Sequence, residues 1–145
     1  MEALSSSEAK KWCIAQGARF GTRGFPEAQR SSSSFKIPED AGRRIALVAE
    51  HLRGFHSVGK TLVWFDDWGV WPSGQRIHIF ERFLASYGER RPLIEVPAFL
   101  FGRQDFEDLI SFVTLGVLFL WDVHVIGAKA RHLVFYSHDE VGWVT

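Results

Sequence analysis

Three groups of residues carry side chains whose types could do chemistry. The first is the run Asp66-Asp67-Trp68-Gly69-Val70-Trp71-Pro72-Ser73-Gly74, which puts two carboxylates and two tryptophans into one turn. Tryptophan beside carboxylate could hold a sugar, a base or a cationic group by stacking plus charge. The plainer alternative, which weighs more, is that Trp68 and Trp71 lid the core while Asp66 and Asp67 face water or cap a helix.

The second group is Asp122, His124, His132, His138, Asp139 and Glu140, residue types that ligate zinc or iron and trade protons. No His-Glu-x-x-His spacing accompanies them. Symmetrical closure of the link 127–130 would pair Asp122 with Phe135 and His124 with Leu133. That register turns His132 and His138 to the opposite face and splits the histidines. No metal and no cofactor is therefore expected. Asp122, Asp139 and Glu140 read either as turn residues, the bland choice, or as an acidic rim offered to a basic partner.

The third group, Ser137-His138-Asp139, holds the residue types of a hydrolase triad, but consecutive side chains cannot point at one another in relay geometry. Cys13, between Trp12 and Ile14, is a small core residue rather than a thiolate. Phosphate-binding glycine loops and nucleophile elbows are absent, so no catalytic residue is assigned.

The elements that must position these groups follow from periodicity. The stretch 105–140 concentrates the unbroken hydrophobicity: Asp105 can cap a helix that is apolar nearly all round, followed by two alternating strands joined as a hairpin. Its apolar run 109–121 is too short to span a bilayer, which takes roughly twenty residues. Ser5 and Glu8 form a capping box for a first helix that Gly17 stops. Residues 18–34 sustain neither period and read as a flexible loop, whose Arg19, Arg23 and Arg30 are most simply solvated. A short edge strand at Phe35-Lys36-Ile37 leads to a helix with Ala41, Ile45, Val48 and Leu52 as its buried stripe. Lys60 to Phe65 reads as a central strand, and Ser73 can cap a third helix. Leu93 to Phe101, with Pro97 inside, reads as an extended connection.

With 145 residues, 46% hydrophobic and a net charge of +0, the chain fits one well-filled domain with no global field to recruit nucleic acid. One cysteine permits no internal disulfide, and the opening residues lack a signal-peptide plan, which points to a cytoplasmic setting. The expected architecture is a single α+β domain: a small, mainly antiparallel sheet of about three to four strands packed with about four helices on one face. The expected function is a small cytoplasmic protein-binding or inhibitory, immunity-like domain. It would be a monomer or simple homodimer without membrane or nucleic-acid partners, acting through an acidic and aromatic surface. The alternative is a small-molecule-binding domain or enzyme using the 66–71 turn. The candidate contact residues are Asp66, Asp67, Trp68, Trp71, Asp122, Asp139 and Glu140.

Overall fold

The computed structural model describes residues 1–29, 31–69, 76–130 and 132–145. The expected roles of Trp71 and Ser73 thus lie outside the described residues, as do Arg30 and Arg131.

In chain order the elements are β1 (Glu2–Leu4), α1 (Ser6–Ala15), β2 (Ser33–Lys36), α2 (Ala41–Leu52), β3 (Lys60–Phe65), α3 (Ile77–Ser86), β4 (Ala98–Gly102), α4 (Phe106–Leu118), β5 (Val123–Gly127), β6 (Leu133–Tyr136) and β7 (Val141–Val144). Among the described residues the strands form one seven-stranded sheet in the order β1-β4-β3-β5-β6-β7-β2, with every neighbouring pair antiparallel. The α+β class and the four helices agree with the sequence, but three to four strands is too few. The strands beyond that expectation have physical excuses for their silence. β1 is only three residues long, β4 follows Pro97 and reads as a connection, and β7 carries Gly142 in its middle.

The helices do not share one face, which is a second correction. Val63, Phe65, Phe99, Phe101, Val123, Val125, Val134 and Tyr136 pack with α2, α3 and α4 in the main core. Leu62, Trp64, Ala98, Leu100, Ile126 and Leu133 form a second cluster with Ala9 and Cys13 of α1. A sheet covered on both sides needs apolar residues at every position, and that is why β3 and β4 do not alternate. Phe20 and Phe25 from the 18–34 segment also pack on this second face. Residues 19–27 close a loop there, with Phe20 bridged to Pro26 and the Glu27 amide bonded to the Arg19 carbonyl at 3.1 Å.

Capping follows the sequence in part. The Ser5–Glu8 box is formed, with the Ser5 amide donating to Glu8 Oε2 at 2.8 Å. Asp105, by contrast, does not cap α4 through its side chain; its carboxylate accepts the Gly102 amide at 2.9 Å and shapes the turn before the helix. In α2 the buried positions are Arg44, Val48 and Leu52, while Ile45 is exposed. Arg44 is inside because its guanidinium finds partners there: Nε donates to the Pro38 carbonyl, and NH2 donates to Glu140 Oε1 at 2.6 Å. Among the described residues no helix is long and apolar enough to cross a membrane.

Candidate functional site

Antiparallel register brings the chemistry together at one end of the sheet. Phe65 pairs with Val123, and Val123 with Tyr136, so the C-terminal end of β3, the N-terminal end of β5 and the C-terminal end of β6 coincide. The β5–β6 register differs from the symmetrical closure expected of the 127–130 link, with His124 opposite Phe135 rather than Leu133. The link closes one residue later, where the Gly127 amide donates to the His132 carbonyl. A left-handed backbone at both Lys129 and Ala130 permits that turn, which alanine and lysine do not advertise. The shift of two pairing positions leaves the residues within β5 and β6 on their expected faces, because side chains alternate with period two, but His138 lies beyond β6 in the turn and, against the expected split, reaches the Asp122 side chain.

Beyond the strand ends the ladder continues with two residues against one. The Asp66 amide donates to the Asp122 carbonyl at 2.9 Å, and the Asp122 amide donates to the Asp67 carbonyl at 2.8 Å. Such a bulge-like arrangement re-aims consecutive side chains. Asp66 reaches His124, with Oδ2 3.5 Å from Nε2, and the same oxygen lies 3.5 Å from the Arg23 guanidinium. Asp67 Oδ1 accepts the Gly69 amide at 2.9 Å, and Trp68 lies partly exposed against the main core. Trp68 is therefore neither a fully shielded lid nor a free anchor.

Asp122 is the centre of the cluster. Its side chain is only 1% exposed, and Oδ1 accepts both the His138 amide at 2.7 Å and His138 Nδ1 at 2.8 Å. His138, 26% exposed, keeps Nε2 on the outer side, 3.5 Å from Asp139 Oδ1. Partial burial opposes the charge on His138. The Asp122 hydrogen bond, with the charges of Asp122, Asp139 and Asp67, outweighs that penalty and raises its pKa above the ordinary 6.5. His124 goes the other way: complete burial lowers its pKa, and the attraction of Asp66 and Asp122 does not make up the difference. The two imidazoles thus shift in opposite directions although both pair with aspartate.

Of the expected contact residues, Asp66, Asp67, Trp68, Asp122 and Asp139 meet at this sheet end. Glu140 is drawn off to Arg44 of α2 and holds the β6–β7 turn to that helix. His132 packs on Phe55 at the other end of β6. Among the described residues no three His, Cys, Asp or Glu side chains are grouped as a metal ion would require. Cys13 is buried and its pKa is pushed up to about 12, so its thiol is not poised for reaction. Sequence reasoning missed the part played by Arg23 and Phe25. The usable signal was the pair of isolated phenylalanines, Phe20 and Phe25, in an otherwise polar loop, since such rings must find cover.

The histidine pair makes a direct prediction. In a histidine NMR titration of the folded chain, His138 is expected to titrate above 6.5 and His124 below it. For stability the signs are opposite. The His138 contribution is complete below the ordinary imidazole pKa and fades as pH rises through its raised folded value. The His124 contribution is complete above the ordinary pKa and fades as pH falls through its lowered one. Asp122→Asn should bring the His138 midpoint down while His124 stays low; coincident midpoints in the native chain contradict the geometry.

No protein family matches this chain, and neither a curated protein nor a solved structure does.

Proposed function

We propose that this chain is a small cytoplasmic partner-binding domain, inhibitory or regulatory in role, whose sheet-end surface receives a basic segment of another protein. One observation carries the reading: Asp67, Asp122 and Asp139, from three separate strand ends, come together around His138 beside a partly exposed Trp68, while the neighbouring Asp66 is taken up by His124 and Arg23. Gathering like charges costs energy in the free protein, and a cationic side chain relieves it on binding. Asp139, 77% exposed, offers the accessible charge, while tryptophan supplies contact area with few rotors to freeze. Asp122 is spent inside the cluster and orients His138 rather than touching the partner.

The test uses the intact chain as bait in an extract of its native host, beside an Asp67→Asn/Asp139→Asn variant and Trp68→Ala. A retained protein should bind the native bait in a salt-sensitive way, because exposed charges are screened. Trp68→Ala should weaken that complex by about 2 kcal/mol while changing stability by about 1 kcal/mol or less. Recovery of the same proteins by all baits overturns the proposal.

A further inference from the structure

We infer that His138 is a proton-operated gate on the sheet-end surface: charged, it holds Asp139 for itself and opposes a basic partner; neutral, it leaves that carboxylate to the partner. The gate rests on the partner-surface reading of the same site and adds its regulation.

His138 is built to change charge without moving. Its backbone amide and its Nδ1 both reach Asp122 Oδ1, at 2.7 and 2.8 Å, and that side chain is only 1% exposed. A carboxylate only accepts, so we assign a proton to Nδ1 in both charge states of the ring. The proton that comes and goes then sits on Nε2, 3.5 Å from Asp139 Oδ1. Both bonds to Asp122 survive its loss, so the turn of residues 137–140 keeps its shape while its charge changes. Asp139 is 77% exposed, and its contact with Nε2 is too long for a strong hydrogen bond, so an arriving cation can take it over.

The charged groups facing the ring are acidic. Asp122 comes from the start of β5, Asp67 from beyond β3 and Asp139 from the turn itself, and each favours the charged imidazole. Among the described residues no lysine or arginine pairs with any of them: Arg23 is engaged with Asp66, and Arg44 with Glu140. His138 is therefore a cation the cluster supplies for itself, and a basic side chain docking there meets a like charge. Because the folded pKa of His138 is raised, the surface becomes most acidic only above that raised value. Binding of a cation should strengthen as pH rises through it, and by reciprocity a bound cation should lower it. His124, beside Asp66, has its pKa lowered by burial and stays neutral over the same range.

The probe is an acetylated, amidated tetra-arginine peptide, whose charge is constant because guanidinium does not titrate. Its affinity for the intact chain, at fixed ionic strength, should rise about fivefold or more between about pH 6.5 and 8.5. In a histidine NMR titration the His138 midpoint should fall when the peptide is saturating. His138→Asn should abolish the pH dependence and bind at the lower pH as tightly as the native chain does at the higher. If that variant fails to fold, the shift of the native His138 midpoint decides alone. A purely structural His138 would instead weaken binding on substitution and leave the pH slope in place. No saturable binding at either pH, or binding kept by Asp67→Asn/Asp139→Asn, overturns the partner-surface reading and the gate with it. Saturable binding that needs those carboxylates but is equal at both pH values, with an unmoved His138 midpoint, overturns the gate alone.

Discussion

Phe112→Ala should lower the stability of the folded chain by about 3–5 kcal/mol, a large share of the roughly 5–15 kcal/mol a domain of this kind has in total. Phe112 lies on the inner face of α4, fully buried, and touches the rings of Phe80, Phe83, Tyr87, Phe99 and Phe101. Those rings come from α3, the residue after it, and β4, so one side chain joins helices to sheet. Most of its partners are themselves fully buried aromatics held in edge-on or tilted contacts. They cannot collapse into the space that truncation leaves, and the cavity term therefore adds to the lost transfer energy. Chemical denaturation with an unchanged slope and a much lower midpoint is the expected result. A loss below about 1 kcal/mol would mean that α4 is not the organising helix.

Gly142→Val should be nearly as damaging, for a different reason, and should also dismantle the sheet-end cluster. A Cβ at Gly142 would run into the Phe135 carbonyl oxygen, which is backbone and cannot turn away, and would lie 2.5 Å from the Phe35 ring. Gly142 pairs with Tyr136 on one side and Phe35 on the other, so the clash pushes β7 from both neighbours. Overpacking of a fitted site costs typically 1–3 kcal/mol, and separation of a strand paired on both sides adds broken ladder bonds, giving about 3 kcal/mol or more. The turn of residues 137–140 is closed by the Ser137 amide on the Val141 carbonyl, and it carries His138 and Asp139. Displacing β7 should therefore return the His138 titration toward its ordinary value. If stability falls while the His138 midpoint stays raised, the turn is held by the Arg44–Glu140 clasp alone and not by β7.

The sequence by itself determined the local elements whose signals are local. The Ser5–Glu8 box and Gly17 bound α1, the apolar 106–118 run makes α4, and Lys60 to Phe65 makes the central strand β3. It also determined which side chains of β5 and β6 share a face, since alternation survives a register shift of two. Only the tertiary structure decided the rest. β1, β4 and β7 become strands because a neighbour completes their hydrogen bonds, and a pairing partner distant in the chain leaves no local trace. Arg44 is buried and Ile45 exposed because Glu140 and the Pro38 carbonyl wait for a guanidinium, a fact no helical period can encode. The candidate site shows the same division. Its carboxylates, histidines and Trp68 could be named from composition, but their grouping depends on three strand ends stopping at the same level. That level is set by hairpin register and by two aspartates opposing one, and these are properties of backbone pairing rather than of any residue's own preference.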